Sequence, residues 1–204
     1  MRNIFLILFI VPTILMSQNN TNEVIVIKSD KQIEEFTSSL GQYELRVDFL
    51  DFLIFPALTV GFEKINNSTS GYGATLFLNL GGEDTIGDVY SDKLALTPYY
   101  RFYFLQSEDF GGHGMFAEIF AKFSSGKYKK FNDFYDQNPS NKTLSYFDVA
   151  PGLAVGRKWI NRKGFTFELL FGVGRNLLNS ESDENNSSRS AGTIRAGVSI
   201  GKRF

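Results

Sequence analysis

The chain has 204 residues, a length that suits one domain. Its 21 Phe, 9 Tyr and 19 Gly favour β structure, and the absence of cysteine rules out disulfides, thiolate metal centres and a lipid-anchored N-terminal cysteine. A net charge of −1 offers no one-signed field for nucleic acid, and a single histidine, His113, rules out a His-rich metal site.

The first residues, MRNIFLILFIVPTILMSQ, carry one early positive charge, Arg2, followed by an apolar run from Ile4 to Met16 and then polar residues. This pattern predicts a secretory signal peptide over 1–17, cleaved after Ser17, and is too short for a spanning helix. Residues 18–42 open with QNNTNE and read as a periplasmic N-terminal extension.

From Tyr43 onward one unit recurs: an alternating segment, then a turn or loop. YELRVDFLDFL (43–53) sets Leu45, Val47 and Phe49 against Glu44, Arg46 and Asp48. ALTVGFEKI (57–65) and YGATLFLNL (72–80) repeat the alternation. LALTPYYRFYFL (94–105) contains Pro98, which suggests a bulge. MFAEIFAKF (115–123) sets Phe116, Glu118, Phe120 and Lys122 on one face. The long insertion SSGKYKKFNDFYDQNPSNKT follows. LSYFDVAPGLAVGRKWI (144–160) and FTFELLFGVGRNLL (165–178) flank the tight turn NRKG. The last segment, GTIRAGVSIGKRF (192–204), alternates to its terminal phenylalanine.

Eight such segments, of roughly the length that crosses a bilayer as tilted strands, predict an all-β fold. Alternation alone does not separate a soluble barrel from a membrane one. Mid-strand Arg46, Asp48, Glu63, Arg101, Glu118, Lys122, Asp148, Glu168 and Arg195, of both signs and interspersed with Gly and Thr, suit a narrow filled lumen. Connections after the second, fourth and sixth segments are shorter than those after the third, fifth and seventh. Tyr72, Tyr100, Tyr103, Tyr146, Trp159, Phe165 and Phe204 read as interfacial girdles. The expectation is therefore an eight-stranded antiparallel up-and-down transmembrane β-barrel over 43–204, with the first strand pairing with the last so that no edge meets lipid.

The signal peptide, the closing GVSIGKRF and terminal Phe204 resemble those of bacterial outer-membrane β-barrels. The resemblance implies an outer-membrane location, with lipid and lipopolysaccharide as surroundings. It also implies that the final strand, with Val198, Ile200 and Phe204, is an assembly signal read by the barrel-insertion machinery. The signal ending Met16-Ser17-Gln18 resembles those of Bacteroidetes. More narrowly, ELRVDFLDFLIFPALTVGFEKI (44–65), with Phe62-Glu63 before a polar turn, resembles the opening hairpin of the DUF3575 family of small barrels.

Little points to catalysis. His113 lies in a Gly-rich turn with Asp109 near it, and reads as a polar turn. The mid-strand carboxylates could form a reactive cluster, but pairing with the neighbouring cations is the stronger reading. The acidic stretches with Glu83, Asp84, Asp88 and Asp92, and with Glu181, Asp183 and Glu184, lack a calcium-loop spacing and read as solvated loops. Lys127, Tyr128, Lys129, Lys130, Phe131, Phe134 and Tyr135 form a candidate surface-contact loop for lipopolysaccharide phosphates or a partner, or pack on the barrel rim. The expected role is structural or surface interaction by a monomer without metal, cofactor, nucleic-acid partner or enzymatic activity. The alternatives are a secreted soluble barrel holding a small apolar ligand, and a lipid-modifying outer-membrane enzyme.

Overall fold

The computed structural model describes residues 40–54, 56–81, 92–104, 111–130, 142–161, 163–178 and 191–204. The chain divides into two compact units, Met1–Gln32 and Ile33–Phe204, and all described residues belong to the second. The expected signal peptide and nearly all of the extension lie outside the described residues.

Eight antiparallel strands close into a barrel in sequence order. They are β1 (Tyr43–Asp48), β2 (Ala57–Asn67), β3 (Ser70–Asn79), β4 (Asp92–Phe104), β5 (Gly114–Lys130), β6 (Lys142–Ile160), β7 (Phe165–Arg175) and β8 (Gly192–Arg203). Closure is made by β1 against β8, from Glu44↔Arg203 to Asp48↔Ser199. Tyr43 and Phe204 extend that ladder through a reciprocal pair of backbone hydrogen bonds of 3.1 and 2.8 Å. Sheet closure removes the free edges that an open sheet would present.

Period-two alternation decides which side chains fill the barrel. Every second residue is drawn inward, and the opposite set stays outside. The outward set is predominantly apolar: Leu153 and Ile194 are 64% and 67% exposed, and Phe62, Leu76, Phe102, Ile119 and Phe171 share that face. The inward set carries the charge, and Arg101 and Glu63 are fully buried.

Local chemistry sets the turns. At the β6–β7 connection the Asn161 side-chain oxygen accepts hydrogen bonds from the backbone N–H groups of Lys163 and Phe165, both at 2.9 Å. Gly164 completes this turn at φ +78°, where a side chain would be strained.

Four expectations change. The first segment does not continue as strand to Leu53: after Asp48 it turns into a short helix, α1 (Phe49–Ile54). The Asp48 carboxylate starts that helix by accepting a hydrogen bond from the Leu50 N–H at 2.8 Å. Pro98 makes no bulge: the β4–β5 ladder lapses between Leu96 and Tyr99 and resumes in the same register, because proline only removes a donor. Lys127, Tyr128, Lys129 and Lys130 are not a loop but the end of β5, paired through to Lys130↔Lys142. Phe131, Phe134 and Tyr135 lie outside the described residues. Finally, Tyr103 is buried in the lumen, and Tyr146 reaches inward to Asp92. Their hydroxyls find carboxylate acceptors there, whereas Tyr72, Trp159, Phe165 and Phe204 are exposed on the outer face.

Candidate functional site

The lumen holds a neutral charge network built from seven strands. Its carboxylates are Glu44, Glu63, Glu118 and Glu168, and its cations are Arg46, Arg101, Lys158 and Arg195. Each projects inward because it falls on the inner parity of its strand. Register places them at neighbouring heights: Arg101 lies opposite Glu118, and Lys158 opposite Glu168.

Arg101 is the centre. Its Nη1 and Nη2 grip Glu168 at 2.6 and 2.8 Å, while Nε donates to Glu118 at 2.7 Å and Nη1 also reaches Glu63 at 2.8 Å. A guanidinium fork suits this, since its donors lie in one plane and meet several carboxylates at once. The Tyr99 and Phe116 rings lie 4.5 and 4.2 Å from its central carbon and hold it by cation–π contact.

Glu63 collects the remaining donors. It accepts from Arg46 at 2.9 Å, from Lys158 at 2.9 Å and from the Tyr103 hydroxyl. Glu44 and Glu63 face each other directly across β1 and β2, a like-charge pair that would repel if left alone. Lys158 resolves this. Its Nζ lies 3.0 Å from Glu44, 2.9 Å from Glu63 and 3.5 Å from Glu168. The same three glutamates bring one oxygen each within 4.8 Å, a spacing that would suit a divalent cation. The chain supplies its own ammonium at that point.

Not every expected member joins. Lys122 pairs instead with Asp92 at 2.6 Å, and Asp92 also accepts from Tyr146. That makes Asp92 a strand residue in an ion pair rather than part of a solvated loop. Glu83, Asp84, Asp88, Glu181, Asp183 and Glu184 lie outside the described residues. Asp48 accepts from the Leu50 and Val198 N–H groups and the Ser199 hydroxyl, and Asp148 from the Val149 and Leu178 N–H groups. These two carboxylates cap backbone.

Sequence reasoning left Glu44, Lys158 and Tyr99 out of the network and set Tyr103 in the interfacial girdle. The signal was present, since Lys158 follows Asp148, Ala154 and Gly156 on the inner parity of β6, and Glu44 shares parity with Arg46. It also passed over Arg203, which reaches across the turn-side mouth and donates to the carbonyls of Gly111 and Gly112 at 3.0 and 2.8 Å. This folds residues 111–113 over the lumen and buries His113 beneath the rim.

Toward the opposite mouth the packing loosens. A cavity of about 70 Å³ lies among Arg46, Asp48, Asp51, Thr75, Lys122 and Arg195. Small residues make the room, and it holds at most a few waters. Asp51 of α1 accepts from Thr59 at 2.5 Å beside this cavity. Burial raises its carboxyl above the usual aspartate range, and the Thr59 hydrogen bond opposes that rise. On the outside, Val198 and Ile200 take outer positions on β8, and Phe204 is exposed beside Tyr43.

Comparison with protein-family models, curated proteins and solved structures gives no match.

Proposed function

We propose that the mature chain is an outer-membrane β-barrel of a Gram-negative bacterium with a structural or surface-interaction role, its lumen sealed rather than conducting. One observation carries this reading: polarity is inverted relative to a soluble barrel. Apolar side chains cover the outer wall of all eight strands, while every described Asp and Glu is buried or half-buried and bonded on the inner side. In water, such an exterior would be a contiguous exposed apolar surface far larger than soluble monomers carry. In a bilayer it is the surface the solvent demands, and closure meets the requirement that no backbone edge face hydrocarbon.

The signal-like N-terminus and the alternating final strand with Val198, Ile200 and Phe204 fit delivery by an envelope insertion machinery. The opening hairpin, 44–65, is similar to that of the DUF3575 barrels and fits the same reading. A soluble carrier of a small apolar ligand is disfavoured because the interior space is small and lined by charge. A lipid-modifying enzyme is disfavoured because the single imidazole, His113, sits under the turn-side rim, away from the outer wall.

Cell fractionation tests the reading. The protein is expected in the detergent-soluble outer-membrane fraction, with a folded form that migrates differently on gels before and after boiling. Recovery as a free periplasmic species overturns it. In planar bilayers the barrel is expected to carry no resolvable single-channel current, and steady conductance would refute a sealed lumen.

A further inference from the structure

The outer wall carries charge of one sign only. Among the described residues, all carboxylate side chains sit on the inner side; Lys127 and Arg175 are exposed on the outer face toward the far end, and Lys64, Arg157 and Lys202 project from it at the other. These three lie close to the turn-side rim, on β2, β6 and β8, and each stands over an aromatic ring. Lys64 is 5.7 Å from the Tyr43 ring, Arg157 5.0 Å from the Trp159 ring and Lys202 4.5 Å from the Phe165 ring. The rings themselves adjoin: Tyr43 stacks on Phe62 at 5.9 Å and approaches Phe204 at 6.5 Å, and Trp159 lies 5.5 Å from Phe167. Closure of β8 onto β1 joins them into one belt across β6, β7, β8, β1 and β2.

We propose that this belt is a docking collar for anionic glycerophospholipid headgroups. The inference rests on the membrane reading above and adds a lipid preference to it. Aromatic rings settle at the boundary between chains and headgroups, and here they hold three cations at that depth. A cation near an anionic surface attracts phosphate, and among the described residues no outward carboxylate side chain competes for these cations. Lys202 is further fixed by donating to the Lys163 carbonyl, and Lys163 adds a fourth exposed cation at the β6–β7 turn. The turn-side end of the barrel is therefore assigned to the phospholipid leaflet.

Trp159 is the only tryptophan in the chain and belongs to the collar, so its fluorescence reads the lipids beside it. The full chain is refolded into phosphatidylcholine vesicles containing a minority of phosphatidylglycerol, enough to give an anionic surface. The bromine quencher is placed on one lipid class or the other. Brominated phosphatidylglycerol is expected to quench about threefold more, per lipid, than brominated phosphatidylcholine, and added salt should erase the difference. The double variant Lys64→Gln with Lys202→Gln, which leaves Arg157 beside the reporter, should lose most of the preference while keeping its heat-modifiable fold. Equal quenching by the two lipids, or an undiminished preference in the double variant, overturns the collar and leaves the membrane reading standing. No quenching by either lipid overturns both.

Discussion

The two halves of the lumen are built differently. On the turn side, Glu44, Glu63, Arg101 and Lys158 interlock through ion pairs of about 3 Å or less, Tyr103, Phe116 and Ile65 cluster beside them, and Glu168 stands between this group and the cavity. On the far side the charges hold backbone ends or each other at the rim, α1 replaces the strand that β1 would have continued, and the cavity opens. The difference follows from how many cations each carboxylate meets. A buried charge with one partner and no water is costly, while one with several donors is satisfied. Density of pairing, rather than number of charges, separates the two halves.

Removing the centre of the dense half should give the largest effect. Arg101→Met leaves Glu63, Glu118 and Glu168 short of their common donor, and breaking a buried pair this way costs about 3–5 kcal/mol. Urea titration of the reconstituted barrel should show a matching fall in midpoint, or no heat-modifiable species at all. A midpoint within experimental error of wild type would mean the network contributes nothing.

Lys158→Met is expected to cost about 3 kcal/mol, because it unmasks the opposed Glu44 and Glu63. Adding Glu44→Gln should return a clear part of that loss, since it removes one member of the repelling pair. Simple additivity of the two substitutions would show that Lys158 does not mediate between them.

In the looser half, Lys122→Met should cost only about 1 kcal/mol, as its partner Asp92 lies near the rim and keeps the Tyr146 hydrogen bond. A loss equal to that of Arg101→Met would erase the distinction between the halves.

The smallest expected effect is a pH slope at Asp51. Its folded carboxyl titrates above the ordinary aspartate value of about 3.9, so folding favours the protonated form. The associated stability is fully present below that ordinary value and is lost as pH rises through the raised folded one. Asp51→Asn has no such slope. Its urea midpoint relative to wild type should therefore climb between acid and neutral pH, and parallel pH profiles would reject the assignment.

Much of this was legible in the sequence. Side-chain parity in a strand has no freedom, so alternation from Tyr43 onward separated wall from lumen for Arg46, Glu63, Arg101, Glu118, Glu168 and Arg195. What parity cannot supply is height and partner. Lys122 and Asp148 share the inner face with Glu118 and Ala154 but lie too far along their strands to meet Arg101. The stretch FLDFLI reads equally as alternation or as one helical turn, and the Asp48 cap decides for the helix. The lysines at 127–130 read as loop by composition, yet the hairpin partner that carries β5 past them sits on another segment. Tyr103 and Tyr146 were misplaced because a tyrosine can end at a lipid interface or on a buried carboxylate, and only the lumen shows which.

The seam between β1 and β8 has one more result, and it concerns timing. Asp48 and Ser199 are hydrogen-bonded although 151 positions apart, so the first strand waits for the last before either can be completed. Contacts this distant in sequence slow folding. Glu44 and Arg46 on the first strand therefore gain the full set of partners that bury them only once the cylinder shuts.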